Sequence, residues 1–410
     1  MRPVSSILSQ LSLESRAARR RRRLQAFRPP FRRLIAGLTA DCPALEDLAD
    51  SFPALLFALA TGYGTAAARD DSARLIARGG RLKEASATLG LPLWLRRLPT
   101  RALLHRLAPL PVDGEFGKTM TAHMPDTERE CALWFTRANV ALELAGREFA
   151  LWVAREPRLL PPLTSEEDIK WLMAWVWASR HPGWDGHRLL RQSWCPTMGW
   201  KKARDEIAVW KKRVDLVGAL AGEPRDPWFE NAQVQDFEII HLDSVDAFID
   251  ESVAMDNCLD QYATHLAYGR VRVFSVRRDG KPVADVELTQ RPDEMTMPCV
   301  SQIRGLRNRR APPAIWQAVH AWLGAQPFRT IIAAPTPVSA KREALTRFWQ
   351  AYAEALTEAG ISQRLGPPMT REPRRTFSRN EPTAEATAQP GRPTRPLGER
   401  RPPRRSLDRL

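Results

Sequence analysis

The sequence lacks an apolar stretch that could cross a membrane, and no secretory leader is expected at its start. No apolar run reaches the roughly 18 to 20 residues that a membrane span requires. The longest candidate, residues 52–68, is interrupted by Gly62 and Gly64 and is predicted to be a buried helix. No apolar signal core precedes a cleavage site near the start, so we expect a cytoplasmic protein. The Arg- and Ser-rich residues 5–23 leave a mitochondrial presequence open as an alternative.

Cysteine is scarce and widely spaced. The chain has five cysteines, with no Cys-x-x-Cys pair and no Cys/His spacing typical of zinc sites. Free thiols in a reducing compartment are therefore expected. The spacing predicts no zinc site, and no cofactor is predicted.

Positive charge is concentrated at the two ends of the chain. Residues 1–33 hold ten arginines and one glutamate, and residues 371–410 hold eleven arginines and five acidic residues. These ends carry the whole formal net charge of +15, so residues 34–370 are net neutral. The body therefore has the charge balance of an ordinary globular protein.

The clustered arginines predict contacts with phosphate groups. Like charges this close repel one another unless an anion is present, and nucleic-acid phosphates would supply salt-dependent affinity. Solvated ends that bind nothing specific are the alternative. The predicted contacts are Arg19, Arg20, Arg21, Arg22, Arg23, Arg400, Arg401, Arg404 and Arg405.

At 410 residues the chain exceeds one typical domain. The predicted fold class is α+β, with a mostly helical, tryptophan-rich N-terminal half followed by a small antiparallel sheet with packed helices. The last segment has too few large apolar side chains to offset the entropy of ordering. The predicted parts are a basic arm at residues 1–33, a helical domain at 34–235, an α+β domain at 236–362 and a disordered basic tail at 363–410.

Tryptophan is concentrated in the helical half, where ten of fourteen fall between Trp134 and Trp228. The clearest helix start is at Thr164, whose hydroxyl can cap the helix while Glu167 completes a capping box. Large aromatic side chains at helical spacing usually form a core, so a buried cluster is predicted. An open tryptophan surface for a protein partner or for stacked bases is the alternative.

Strand and turn signals dominate the second half. Asp279-Gly280 lies between two β-rich runs, which is typical of a type I′ hairpin with positive φ at both residues. Ser244 and Pro313 are predicted to lie at helix starts, and Gly360 is predicted to follow the end of a helix. The predicted strands are residues 237–242, the two arms of a hairpin within 270–288, 299–305 and 329–334.

Ser244 is predicted to start one helix, and a second helical stretch that runs to Tyr268 carries Cys258, Tyr262 and His265 at i, i+4 and i+7. These three side chains are predicted to share one face of the helix. On the hairpin strand, Glu287 shares a face with Asp285 because side chains alternate along a strand.

The third strand supplies further polar side chains. Gln302 and Arg304 are predicted to share a face with Val300. If the helix packs across the sheet, polar groups from all three elements meet. The candidate catalytic residues are Cys258, Tyr262, Glu287, Gln302 and Asn308.

The same residues form an ordered set of motifs. C-x(3)-Y-x(6)-G runs from Cys258 to Gly269, the hairpin strand carries Glu287, and Q-x(2)-G-x(2)-N runs from Gln302 to Asn308. This set resembles the PcfJ-like domain, a family associated with conjugative plasmids and other mobile elements. The resemblance covers roughly residues 240–326 and implies a role on mobile DNA, but no particular reaction.

Two positions depart from the family's pattern. Asn257 stands where the family often has His before the Cys, and Asp285 stands where it favours Thr before the Glu. The motif therefore does not supply a catalytic His–Cys pair in this chain.

Three functions are open on these residues. The favoured one is an accessory protein of mobile DNA elements, which binds nucleic acid through its arginine-rich ends while the central domain contacts a partner. The second is an enzyme, with Cys258 as a nucleophile or with Asp285 and Glu287 holding a divalent metal for phosphodiester cleavage. The third is a protein-interaction scaffold built on the tryptophan-rich half.

Overall fold

The computed structural model describes residues 18, 22–160, 162–290, 298–327, 331, 333–362 and 365–368. These residues have the predicted α+β architecture, with a mostly helical first half and then an antiparallel sheet with packed helices. The predicted disorder of the tail lies outside them. So do the predicted phosphate contacts of Arg19, Arg20, Arg21, Arg400, Arg401, Arg404 and Arg405.

The first half is helical. Its helices are α1 (Pro29–Asp41), α2 (Leu48–Ser51), α3 (Pro53–Thr61), α4 (Ala66–Ala77), α5 (Leu82–Thr88), α6 (Gly114–Ala122), α7 (Glu128–Arg155), α8 (Glu166–Arg180), α9 (Asp185–Arg188) and α10 (Trp200–Ala219). The apolar run at residues 52–68 contains the buried helix α3, as predicted, and α3 ends at Gly62, whose φ is 83°. Within the described ranges, no helix is both long and apolar enough to cross a membrane.

All ten tryptophans between Trp134 and Trp228 are buried, which confirms the predicted core. The rings of Trp171 and Trp210 meet edge to face with their centroids 5.7 Å apart. Trp349, near the end of the described chain, lies 5.7 Å from Trp171 in the same way. Such pairs contribute about 0.5–1.5 kcal/mol each beyond the burial of their area. The alternative of an open tryptophan surface is therefore wrong.

The capping box of α8 lies one residue after its predicted position at Thr164 and Glu167. The Ser165 hydroxyl accepts from the Asp168 amide, and the Asp168 carboxylate accepts from the Ser165 amide. The Thr164 hydroxyl instead donates to the carbonyl oxygen of Arg158, 2.5 Å away. Because the preceding loop uses the threonine, the next hydroxyl along the chain caps the helix.

Five antiparallel strands form one sheet in which each strand pairs with its neighbours along the chain. They are β1 (Ala232–Val234), β2 (Phe237–His241), β3 (Val271–Arg278), β4 (Lys281–Gln290) and β5 (Pro298–Gly305). The turn between β3 and β4 has φ angles of 52° at Asp279 and 71° at Gly280, as the type I′ prediction requires.

Helices cover both faces of this sheet. They are α11 (Val245–Met255), α12 (Ala263–Ala267) and α13 (Pro313–Ala325). Trp322 of α13 packs against Phe274 and Leu288 on one face. Phe248 of α11 packs in a separate apolar cluster that includes Val273 on the opposite face. The predicted cap of α11 is confirmed, since the Ser244 hydroxyl accepts from the Ala247 amide.

The last helix, α14 (Val338–Glu358), packs into the N-terminal core through Trp349 and Tyr352. Gly360 follows it with a φ of 68°, as predicted for the residue after a helix end. The predicted strand at residues 329–334 is wrong for its described residues, which lie outside any strand. There the Ile331 carbonyl oxygen accepts from a side chain, that of Gln290, rather than from a neighbouring strand. The domain boundaries stay a prediction.

Candidate functional site

A pocket lies against β4, β5 and the segment that joins α11 to α12. All five candidate catalytic residues line it, although they come from separate parts of the chain. Their convergence was the expectation on which the site depended; their catalytic roles stay a prediction. The lining residues are Asn257, Cys258, Leu259, Tyr262, Val273, Asp285, Glu287, Gln302, Arg304 and Asn308.

The segment that carries Cys258 and Tyr262 is not one continuous helix, so the predicted common helical face is wrong. The chain leaves α11 at Asp256, whose φ of 48° cannot continue a right-handed helix. A 3₁₀ turn at Leu259–Gln261 follows before α12 begins. Cys258 and Tyr262 still reach the pocket, but His265 is exposed and does not line it.

A buried ion pair fixes this segment to the helical half. Arg213 of α10 donates to the Asp260 carboxylate at 2.8 Å, and both side chains are about 95% buried. A second ion pair, between Arg307 and Asp256, has the same 2.8 Å separation but lies on the surface. The two pairs join the ends of the segment to different neighbours.

The Glu287 carboxylate is the centre of the pocket's hydrogen bonds. The Tyr262 hydroxyl and the Gln302 amide each donate to Oε2 at 2.7 Å, and the Ser301 hydroxyl donates to Oε1. The Gln302 amide also donates to the Tyr262 oxygen at 2.9 Å. Three converging donors fix the carboxylate as a hydrogen-bond acceptor in a defined position.

A β-bulge brings two of those donors together. Glu287 pairs with Gln302, but the next residue, Leu288, pairs with Val300, so Ser301 is the extra residue. The bulge turns Ser301 toward Glu287, a contact that strict alternation along the strand could not predict. It also turns Val300 to the opposite face, against the α13 core. The predicted common face of Val300 with Gln302 and Arg304 is therefore wrong.

Tyr262 and Cys258 present different chemistry to the pocket. Burial raises the pKa of the Tyr262 hydroxyl, and the neighbouring Glu287 carboxylate adds to this effect. Tyr262 therefore acts as a neutral hydrogen-bond donor at ordinary pH. Cys258 is an exposed free thiol at the edge of the pocket, within reach of reagents and ligands.

Asp285 lies deep in the pocket beside a second acid. It is 6% exposed, and it shares a hydrogen bond with Glu251 of α11, which is 1% exposed. Burial raises the pKa of Asp285 to about 8, and Glu251 adds to this effect. Asp285 Oδ1 and Glu251 Oε1 have no hydrogen-bond donor among the described residues, so a proton on Asp285 would supply the missing donor.

The two departures from the family's pattern contact each other. The Asn257 side-chain Nδ2 donates to Asp285 Oδ2 at 2.6 Å, and the Asn257 side-chain Oδ1 accepts from the Leu259 backbone N–H at 3.1 Å. Asn257 thereby links the strand to the 3₁₀ turn. Asn257 and Asp285 thus hydrogen-bond to each other across the pocket, at the two positions where the family has other residues.

Gly269 of the family motif has a steric role. Its φ is 71°, and a Cβ there would lie 2.1 Å from the carbonyl oxygen of Ala334. No other residue type fits both that backbone conformation and that close approach.

The alternative in which Asp285 and Glu287 hold a divalent metal is not supported by the arrangement of the acids. Among the described residues, no group of three or more His, Cys, Asp and Glu side chains is placed to hold a metal ion. Asp285, one of the two proposed ligands, is engaged by Asn257 and Glu251. Glu287 is engaged by its three donors.

Two of the arginines predicted to contact phosphates are described. Arg22 is exposed, whereas Arg23 makes ion pairs with Asp47 at 3.2 Å and Asp50 at 2.5 Å. Phe27, which follows them, is buried in the N-terminal core. Part of residues 1–33 is therefore joined to the folded body.

The sheet carries a pocket that is lined by Cys258, Tyr262, Glu287, Gln302 and Asn308 of the ordered motif. Residues 222–319 match the family model described as PcfJ-like protein. This part of the chain is therefore a PcfJ-like domain, which confirms the resemblance. No curated protein and no solved structure matches the chain.

Proposed function

We propose that this chain is an accessory protein of mobile DNA elements that binds nucleic acid through its arginine-rich ends. The observation that carries the proposal is the charge distribution, because the two ends hold all of the net charge of +15. Basic segments gain affinity by releasing counterions from nucleic-acid phosphates. The PcfJ-like domain supports the link to mobile DNA, since the family resemblance implies it.

Neutralising the ends is expected to lower the affinity for DNA and also to reduce the dependence of that affinity on salt concentration. The variant carries Arg19→Gln, Arg20→Gln, Arg21→Gln and Arg22→Gln and lacks residues 371–410. It retains Arg23 and Phe27, which belong to the folded body. Binding to short single-stranded DNA would be measured over a range of salt concentrations. The slope of log K should fall by about 0.7 for each phosphate that the variant no longer neutralises.

The control for the four arginine substitutions places four Arg→Gln changes on the body. Arg78, Arg97, Arg129 and Arg342 are exposed and lie outside residues 1–33 and 371–410 of the sequence. Their replacement by glutamine should leave affinity and slope near those of the wild type. If the neutralised ends bind DNA as the wild type does, the ends are not the binding surface.

The second candidate function is an enzyme centred on the pocket. The observation that favours it is the Glu287 carboxylate, which three donors fix in a pocket that also presents the Cys258 thiol. A positioned carboxylate can act as a general base, which typically contributes 10²- to 10⁴-fold to a rate.

Glu287→Gln should therefore lower element transfer in a complementation assay at least about tenfold if the pocket is catalytic. Glu238→Gln, on β2 of the same sheet and outside the pocket, is the matched control. Glutamine keeps the size of the side chain, and a thermal melt would establish that the variant is folded. Full transfer by Glu287→Gln and by Cys258→Ala would exclude the enzyme.

A further inference from the structure

Two arginines face each other at the mouth of the pocket. Arg304 of β5 forms an antiparallel bridge with Arg310, so the two residues are directly opposite. Both are exposed, and Arg304 lines the pocket. Like charges directly opposite across a bridge destabilise the pair. An anion placed between the two guanidinium groups would reverse that effect.

No acid among the described residues forms an ion pair with Arg304 or Arg310. Arg304 pairs across the sheet with Asp285, but the Asp285 carboxyl is engaged by Asn257 and Glu251. The Arg304 side chain instead donates from Nε to the Gln302 amide oxygen at 3.2 Å. Among the described residues, neither Arg304 nor Arg310 has a carboxylate within ion-pair distance.

The turn between the two arginines is held in an uncommon conformation. Arg307 and Asn308 are consecutive non-glycine residues with φ angles of 56° and 57°. The Gly305 amide donates to the Arg309 carbonyl oxygen at 2.8 Å and closes the turn. Such backbone strain is concentrated at ligand-binding sites, where it holds side chains in place before the ligand arrives. Here it places Arg310 beside Arg304 and Asn308 in the pocket.

We propose that Arg304 and Arg310 bind a backbone phosphate of a single-stranded nucleic acid at the mouth of the Glu287 pocket. The planar guanidinium group matches phosphate oxygens with paired hydrogen bonds. The nucleotide attached to that phosphate then lies over Cys258, Glu287 and Asn308. The inference rests on the proposed function, because it names a second binding surface for the same ligand.

Replacing both arginines tests this surface in the full chain. Arg304→Gln with Arg310→Gln is expected to weaken binding of a short single-stranded DNA about tenfold and to lower its salt slope by about 0.7, the value for one phosphate. Arg97→Gln with Arg342→Gln removes the same charge from exposed positions elsewhere and should change neither quantity beyond experimental error. Circular dichroism would establish that both proteins are folded.

Alkylation of Cys258 gives a second readout that a general loss of charge would not change. Bound DNA should slow the reaction of this exposed thiol in the wild type and in the control, but not in the Arg304/Arg310 variant. Peptide mass spectrometry would separate Cys258 from the four other cysteines. Protection by inorganic phosphate or a mononucleotide as strong as that by DNA would overturn the assignment to a strand.

The outcomes separate this inference from the proposed function. If neutralising the ends abolishes DNA binding while the Arg304/Arg310 variant binds normally, with Cys258 unprotected, the inference is wrong and the function stands. If binding survives neutralised ends but disappears in the Arg304/Arg310 variant, the pocket mouth is the main binding surface and the role of the ends is wrong. Unchanged binding in both variants contradicts both proposals.

Discussion

Asp260→Asn is expected to lower the free energy of unfolding by about 3 kcal/mol, whereas Asp256→Asn should lower it by less than about 1 kcal/mol. Both acids belong to the segment that carries Cys258 and Tyr262, and both pair with an arginine at 2.8 Å. They differ in burial. The Asp260 side chain is 5% exposed and that of Asp256 is 67% exposed.

The physical reason is the charge that remains after the substitution. Removing Asp260 leaves the Arg213 guanidinium, 4% exposed, without its counter-charge inside the protein. Water cannot replace the missing partner there, although the Leu189 carbonyl oxygen still accepts from Arg213 at 3.2 Å. Removing Asp256 leaves Arg307 in water, where the ion pair contributes little. Asparagine also tolerates the positive φ at position 256, so the control adds no backbone strain.

Urea unfolding of the three proteins measures the difference, and the alkylation rate of Cys258 connects it to the site. Asp260→Asn should raise that rate under native conditions, because the segment loses its attachment to α10. Equal destabilisation by the two substitutions would show that the buried pair does not fix the segment.

The sequence predicted the parts of the fold that local signals determine. Asp279-Gly280 fixed the hairpin, since few other residue pairs accept positive φ twice in succession. Ser244 and Gly360 marked a helix start and a helix end for similarly local reasons. The capping box was misplaced because Thr164 and Ser165 are chemically equivalent caps. Only the hydrogen bond of Thr164 to Arg158 in the preceding loop distinguishes them.

The sequence predicted which residues form the site, but not the backbone geometry that brings them together. Motif order and strand alternation identified Cys258, Tyr262, Glu287 and Gln302 as neighbours. Two helical stretches were predicted after Ser244, but the left-handed conformation of Asp256 was not, because an aspartate in a helical pattern gives no signal of it. Two separate errors in the predicted geometry, a helix through both Cys258 and Tyr262 and a regular strand, still left the side chains in one pocket.

Ser301 and Glu251 were missed for different reasons. Ser301 reaches Glu287 only because a bulge inserts it, and the bulge depends on pairing between two strands that are separated in sequence. In the sequence, Glu251 looks like any polar residue of an amphipathic helix. Its burial against Asp285 follows from how α11 packs on the sheet. Tertiary packing determines both interactions.

Asp285→Asn is expected to remove a pH dependence of stability that the wild type shows between about pH 4 and about pH 8. The pKa of Asp285 is raised from 3.8 to about 8 in the folded protein by burial and by Glu251. In that range the folded protein therefore holds a proton that the unfolded chain has released. The stabilisation that comes from this proton on Asp285 is fully present below about pH 4 and is lost as the pH rises to about 8.

The substitution isolates this effect because an amide can retain both hydrogen bonds. Asparagine at position 285 can donate to Glu251 and accept from Asn257, but it has no proton to lose. Arg277, which lies 3.5 Å from Glu251, and Arg304 across the sheet stay charged throughout the range. Each unit by which the pKa is raised corresponds to about 1.4 kcal/mol. The difference in the free energy of unfolding between the two proteins should therefore change by a few kcal/mol across this pH range.

Thermal melts from about pH 5 to about pH 9 would measure the two curves. The wild type should lose stability steadily toward pH 8, and Asp285→Asn should overtake it there. Asp250→Asn, which removes an exposed acid next to Glu251 on the same helix, should keep the wild-type slope. Parallel curves for wild type and Asp285→Asn would mean that the two buried acids do not share a proton. In that case Asn257, which links Asp285 to the Leu259 amide, would fix the Cys258 segment without any dependence on pH.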